Sequence, residues 1–414
     1  MKTQEKDNAY NRCMVAYISR VVYPEIGANS IQTIQMASAF ARQTGNGHLF
    51  VPRITYSIDQ ILQQYGIENT PLHIRSLQTQ QWPSLIRNSS KFSSFFYNSA
   101  IAWTLRFSPA WRKSPNNKML FVRSTAESLY WGLMRPYLRW LDNWIVVCEV
   151  HDLKFAMQHE EFSRCDMNKP AANKTARALA HYDVVLTVSH GLASDIRTLT
   201  NGIVKPHVVP NATGLPRLSK PPVLRFPRER IVLGYIGTLD PQHGIEDLIA
   251  AIKLLPKNFL LRIVGRVRPD YGDWFNALMT DRSLSEKIEL KPFVPYSEIM
   301  SEIDEYDFAL APAGKTVDSI KYRSPLKILD YMARGKPIIA AGVPCHLELL
   351  QHGVNAFIYP KHDPHTLAAH ILTLAKNPLL AESLAKAAWK QSADHTYDVR
   401  AQHILKLAEE ARGR

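Results

Sequence analysis

The sequence predicts an α/β chain built from two doubly wound parallel-sheet domains in succession. Three observations carry that expectation. From residue 14 onward, apolar runs of strand length alternate with helices that have one buried face. A proline-rich segment at 216–227 interrupts the alternation. The alternation then restarts at residue 231. Composition agrees, since 46% hydrophobic and 21% charged residues over 414 positions is globular usage and no disordered tail. The strongly apolar runs, such as Trp144 to Val147, fall far short of the ~20 residues that a membrane helix needs. The opening Met-Lys-Thr-Gln-Glu-Lys-Asp-Asn lacks the apolar stretch of a secretory leader. Cys13, Cys148, Cys165 and Cys345 show no C-x-x-C spacing, which argues against a zinc site or disulfide scaffold and suits a reducing, cytoplasmic setting.

The elements follow in order. Met14 to Ser19 is an apolar strand, and a loop with Pro24, Gly27 and Asn29 follows it. Ser30 to Arg42 repeats Ile31, Ile34, Ala37, Ser38 and Ala41 at helical spacing. Gly45 and Gly47 end that helix, and His48 to Pro52 reads as a second strand, completing a β-α-β unit. Residues 55–118 read as two helices and a basic loop, Arg112-Lys-Ser-Pro-Asn-Asn-Lys118. Strands at 119–122, 144–150, 183–188 and 207–210 then alternate with helices at 125–142, about 171–181 and 192–200. In the second half, strands at 231–236, 259–264, 287–290, 308–311 and 337–340 alternate with helices near 245–255, 274–279, 296–305 and 325–334. The tail from Pro364 to Arg414 reads as helical throughout. The expected domains are 1–215, a linker at 216–227, 228–390, and a C-terminal helix at 391–414 that returns to the first domain.

Charge divides the halves. Residues 1–220 hold 25 basic and 14 acidic residues, net +11, whereas 221–414 hold 25 and 23, net +2. Only the first half is expected to meet an anionic partner. Nucleic acid is disfavoured, because the basic residues are dispersed and no zinc-finger or RNP-type motif appears.

The most informative segment is Ser324-Pro-Leu-Lys-Ile-Leu-Asp-Tyr-Met-Ala-Arg-Gly-Lys-Pro337. Ser324 is a preferred N-cap, Pro325 suits the first helical position and Gly335 suits the stop. A helix that starts so sharply offers free amides and a positive dipole end to a diphosphate. Lys327 in its first turn opposes the dipole, which binding a phosphate would justify. Asp330 has the chemistry to accept two ribose hydroxyls. On the residues alone, a nucleotide site and a well-capped surface helix fit equally.

At this segment the sequence resembles GT-B fold glycosyltransferases of family 4, whose E-x7-E pattern leads into a helix of this type. Gly27-Ala-Asn-Ser30, Glu149-Val-His-Asp152, Val208-Val-Pro-Asn211, Ile236-Gly-Thr238, His243-Gly-Ile245 and Phe293-Val-Pro-Tyr296 resemble further family segments in the family's order. The resemblance covers about 15–405. It implies two Rossmann-like domains facing across a cleft, the second binding a nucleotide sugar. It also implies a retaining transfer to a glycan or lipid-linked acceptor, with no metal or other cofactor.

Carried over residue by residue, the resemblance places His151 at the reaction centre. It places Ser324, Leu326, Lys327, Asp330, Gly237, Thr238 and Tyr322 at the donor, and Gly27, Asn29 and Ser30 in a loop whose backbone approaches the donor diphosphate or the acceptor; by position just past a strand, Arg266 joins the donor side and Arg123 the cleft. Tyr322 departs from the pattern, because the family has an acidic residue there. Thr238 and His243 stand where two cations are usual, leaving Lys327 and Arg266 to compensate. The departures keep open a degenerate, non-catalytic partner, and the fold keeps open a sugar-nucleotide epimerase. Family acceptors carried on lipid diphosphates suggest a peripheral contact with an anionic inner membrane surface, through Arg112, Lys113, Lys118 and the aromatic stretch Phe92 to Trp111.

Overall fold

The computed structural model describes residues 13–25, 27–113, 117–123, 125–153, 170–224, 229–240, 243–314 and 318–413. Cys165, Ser114 to Asn116 of the basic loop and residues 225–227 of the expected linker lie outside these. The described strands form two sheets whose pairings are all parallel. The first contains β1 (Cys13–Ile18), β2 (Gly47–Val51), β3 (Leu72–Ser76), β4 (Asn117–Arg123), β5 (Trp144–Val150), β6 (Val184–Thr187) and β7 (His207–Val208). Its order is β3-β2-β1-β4-β5-β6-β7. The second contains β8 (Ile231–Ile236), β9 (Phe259–Val264), β10 (Ile288–Lys291), β11 (Phe308–Ala311), β12 (Ile338–Ala341) and β13 (Phe357–Tyr359). Its order is β10-β9-β8-β11-β12-β13.

The two sheets share a topology, and each matches the doubly wound GT-B half that the sequence predicts. Helices cover both faces, so the central strands are buried on both sides and read as continuous apolar runs. Ile18, Phe50 and Phe121 have no exposure in the first sheet, nor Leu261, Ile263 and Phe308 in the second. In each order the winding reverses beside the first strand, between β1 and β4 and between β8 and β11. Ligands of open parallel sheets sit beyond the carboxyl ends of the strands at such a point.

The chain divides into two compact units, Met1–Pro210 with Tyr397–Arg414, and Asn211–Thr396. The boundary differs from the expected 215. Asn211 belongs with the second unit because its amide and side chain bond Ser324. The described part of the expected linker is also structure of the second unit. Leu218 N–H donates to Ala333 O, Arg217 to Trp389 O and Ser392, and Leu224 N–H to Glu382. The tail is not one helical run. It forms helices Pro364–Lys376, Pro378–Gln391 and Tyr397–Arg412, and a short 3₁₀ turn breaks it at Ser392–Asp394. The terminal helix packs in the first unit, where Asp398 accepts from Arg42 at 3.0 Å.

Two further expectations fail for local reasons. The helix expected over 125–142 ends at Met134 and gives way to two 3₁₀ turns. Pro136 lacks the N–H that a continuing helix requires. The region 55–118 contains an unforeseen strand, β3, and a long helix, Ser90–Phe107. β3 and β13 lie at the edges of their sheets, and runs of five and three residues are too short for a clear periodic signal.

Candidate functional site

In the first unit, the expected residues converge at the β1/β4 switch point. Arg123 ends β4 and pairs in register with Glu149 of β5. Its guanidinium is buried and donates in three directions. Nε donates to Glu149 Oε1 at 3.3 Å and lies 3.0 Å from His151 Nε2. Nη1 reaches Thr33 Oγ1 at 2.9 Å and Asn29 Oδ1, and Nη2 reaches Gln32 Oε1 at 2.5 Å. The planar fork thereby ties the first helix, Ala28–Thr44, to the strand ends.

Glu149 has no exposure, and its Oε2 accepts from Arg400 Nη2 of the terminal helix at 2.6 Å. Burial alone would raise its pKa, but Arg400, then His151 and Arg123, hold the carboxyl well below the usual range. His151 Nε2 lies 2.5 Å from Glu149 Oε1. Burial, reinforced by Arg123, lowers the His151 pKa against the pull of Glu149. The ring is therefore neutral near pH 7. The short carboxylate contact assigns its proton to Nε2 and leaves Nδ1 as an acceptor.

The loop residues divide. Ser30 Oγ donates to Glu25 O and Gly27 O, both at 2.8 Å, closing the loop from within. Gly27 has an extended backbone at φ 168°, and a Cβ there would meet nothing within 4 Å. Glycine is thus not required by packing within the fold at this position, and the space beside it is open.

In the second unit, the helix Leu326–Ala333 starts at the β8/β11 end. Its cap differs from the expected one. Pro325 is the N-cap without a side-chain bond, and Ser324 Oγ accepts instead from Asn211 N–H at 2.9 Å. The first helical amides, Leu326 and Lys327, have no carbonyl behind them within the helix. Lys327 Nζ lies 4.1 Å from the centre of the Tyr235 ring. Burial, with Arg323 adding and Asp240 opposing, lowers its pKa to about 7. Gly237 makes this approach possible. Its φ is +148°, and a Cβ would sit 3.1 Å from Lys327 Nζ and 2.9 Å from Tyr235 Oη. A Cβ at Gly265, which follows β9, would in turn strike Gly237 O at 2.1 Å. Two strand ends thus bring bare backbone beside a desolvated amine and a helix N-terminus, an arrangement suited to a diphosphate.

The remaining donor-side expectations fare differently. Thr238 is half-buried beside Gly237, and its carbonyl accepts from Tyr235 Oη at 3.2 Å. Arg266 is exposed after β9, and its side chain has no ion pair among the described residues. Tyr322 is buried, with Lys321 Nζ 5.7 Å from its ring centre. Asp330 is no open ribose acceptor. It is only 5% exposed, and its Oδ1 already accepts from Thr213 Oγ1 at 2.7 Å and Tyr296 Oη at 3.0 Å. Burial raises its pKa to about 7 despite both bonds. Among the described residues only Oδ2 is left without a bond.

Sequence reading missed Arg323 and Arg400. His243 Nδ1 donates to Asp240 Oδ1 at 2.6 Å, and its Nε2 accepts from Arg323 Nη1 at 3.1 Å. Burial lowers the His243 pKa, consistent with this neutral tautomer. His243 therefore orients a cation where the resemblance would have it supply one. Arg323 lies three residues before the helix, and its charge next to Tyr322 was the available signal.

Residues 217–391 match the model of the family described as glycosyl transferases group 1. The matched segment lies within the second unit, and the similarity to this family is confined to it. The amylovoran biosynthesis glycosyltransferase AmsK of Erwinia amylovora is 29% identical over 150 residues, 34% of this chain and 35% of AmsK. WcaL of Salmonella typhimurium, whose name refers to colanic acid biosynthesis, is 26% identical over 150 residues, 34% of this chain and 35% of its own. The matched stretches span about a third of these relatives' length. Among solved structures, sucrose-phosphate synthase from Thermosynechococcus elongatus has a TM-score of 0.72 at 18% identity, covering 97% of this chain and 100% of that one. Anabaena HepE in complex with UDP has a TM-score of 0.65 at 16% identity, covering 96% and 100%. At these identities the likeness concerns the fold, which is GT-B.

Glu149 yields a stability test within the first unit. Glu149→Ala leaves Arg123 and Arg400 buried without their carboxylate. We expect a loss of about 3–5 kcal/mol in urea unfolding, and a loss below 1 kcal/mol would contradict the assigned network.

Proposed function

We propose that the chain transfers a sugar from a nucleotide-sugar donor to a glycan or lipid-linked acceptor in bacterial surface polysaccharide biosynthesis, with retention of configuration. The observation that carries this reading is the Lys327 ammonium held beside Gly237 at the start of a helix, within the matched domain. AmsK and WcaL support the polysaccharide setting by name. HepE, a structural neighbour solved with UDP-glucose, supports the donor class.

In this reading, the leaving diphosphate gains charge as the glycosidic bond breaks. Lys327, Arg323, Arg266 and the helix amides offset that charge without a metal, and their fixed positions favour the transition state. The acceptor hydroxyl attacks from the leaving-group face, which gives retention. His151 Nδ1 is an acceptor for a hydroxyl of the transferring sugar or acceptor. Tyr322 in place of an acidic residue favours a second reading, a non-catalytic partner. An assay that follows transfer to acceptor against epimerised donor separates the transferase, epimerase and inactive outcomes. A thermal-shift panel of UDP, GDP and ADP sugars identifies the base.

Lys327 gives the donor site a pH signature. With a pKa of about 7 it is charged below pH 7 and neutral above. Nucleotide-sugar affinity is expected to fall by up to about tenfold per pH unit above pH 7. The titration belongs in an Asp330→Asn background, because Asp330 ionises in the same range. Lys327→Met should weaken binding by about 1–3 kcal/mol at pH 6.5 and flatten the profile. A steep profile that persists in Lys327→Met assigns the titration elsewhere.

His151→Ala is expected to lower turnover more than donor affinity. Turnover equal to the parent's would make His151 a structural partner of Glu149.

The acceptor reading extends to a peripheral membrane contact. No helix of the described residues is long and apolar enough to cross a membrane. The helix Ser90–Phe107 instead turns Phe92, Phe96, Trp103 and Phe107 outward along one face, with Trp103 68% exposed. Lys91 and Arg106 accompany the rings, a pattern suited to an anionic interface. Trp103→Ser with Phe107→Ser should cut binding to anionic vesicles severalfold at low salt and leave nucleotide binding intact. No vesicle binding by the parent protein would point to a soluble acceptor.

A further inference from the structure

The amino-terminal edge of the first unit's sheet carries a cavity of about 850 Å³. β4 enters it at Asn117 and Lys118, and β5 at Trp144. Both strands then run away from it to Arg123 and His151. At about 3.3 Å per residue, the seven residues of β4 put roughly 20 Å between the two ends. The cavity is therefore a separate place in the fold.

Its chemistry is specific. Arg106, Arg112, Lys118, Arg135 and Arg412 line it, against Asp142 and Asp183. Arg135 and Asp183 satisfy each other through two bonds of 2.8 and 2.9 Å, and Asp183 also accepts from Val146 N–H. Among the described residues, no ion pair engages the other four cations. Lys118 is half-buried, and burial lowers its pKa. The apolar part is an indole corner in which Trp140 is half-buried and Trp144 is buried. Trp140 and Trp144 meet at 86° with centres 5.6 Å apart, and the buried Trp111 stacks behind Trp144 at 5.4 Å. Lys118 Nζ lies 5.7 Å from the Trp144 ring centre.

The part-exposed Trp140 indole suits the C–H face of a pyranose ring. Guanidinium and ammonium groups suit carboxylate or phosphate. Asn117 and Asn143 add donors and acceptors for hydroxyls. The volume falls within the range of about 300–1,000 Å³ usual for small-ligand sites, larger than one inorganic ion needs. We propose that this cavity binds an anionic saccharide, a short glycan segment carrying carboxylate or phosphate, as a site additional to the Arg123–His151 cluster. The inference rests on the first unit's geometry and not on the donor chemistry.

The test uses the full chain, indole fluorescence and calorimetry, with tetragalacturonic acid, maltotetraose and inorganic phosphate as probes. The acidic tetrasaccharide should quench indole emission and bind at least tenfold tighter than the neutral one. Trp140→Ala, and Arg112→Ala combined with Lys118→Ala, should each weaken it at least tenfold. The melting shift produced by a donor nucleotide should stay as in the parent, which shows that the variants fold and separates this result from the donor reading. Three outcomes overturn the proposal. One is equal affinity in parent and variants. Another is inorganic phosphate competing as tightly as the saccharide, which marks a simple anion site. The third is no saccharide binding alongside cavity-dependent binding to anionic vesicles, which marks a lipid headgroup contact.

Discussion

Glu149 is a carboxylate without solvent in the middle of a parallel sheet, and the first unit is arranged around keeping it charged. An unpaired charge at that depth is prohibitive. Arg123 arrives from the neighbouring strand, Arg400 from the terminal helix and His151 from the strand's own end. Each partner has a second task. Arg123 holds the opening of the first helix, Arg400 holds the carbonyls of Val209 and Pro210, and His151 faces the switch point. Helix position, strand register and the candidate site are therefore fixed by one buried charge.

The second unit solves its own electrostatic problem in the opposite way. Among the described residues no ion pair engages Lys327. It rests on an aromatic face and keeps a lowered pKa. A structural lysine would gain from an acidic neighbour, whereas one left short of counter-charge is primed for an anionic ligand. The neighbouring glycines clear the space, and His243 and Asp240 hold Arg323 nearby.

The central architecture is legible in the sequence because strands buried on both faces, such as β5, β8 and β9, read as uninterrupted apolar runs between helical patterns. Edge strands β3 and β13 lack that signal. In the site, Arg123 and His151 are legible as polar residues at the ends of apolar strands. Arg400 is not, because its partner is 251 residues away and its own helix reads as an ordinary amphipathic tail. Asp330 shows the converse limit. Its place in the motif is visible in one dimension, but Thr213 and Tyr296, which occupy it, come from remote segments. Burial and pairing are properties of the folded chain, and spacing alone does not encode them.

The return of the terminal helix to the first unit orders events during synthesis. Glu149 leaves the ribosome long before Arg400, and at roughly 5–20 residues per second the 251 intervening residues take about 12–50 seconds. Throughout that interval the nascent first sheet lacks one of the two guanidinium groups that neutralise its buried carboxylate. The second unit, contiguous from Asn211 to Thr396, emerges whole in the meantime. The unit translated first is therefore the last that can reach its final state, and a ribosome that stalls before residue 400 leaves it unfinished.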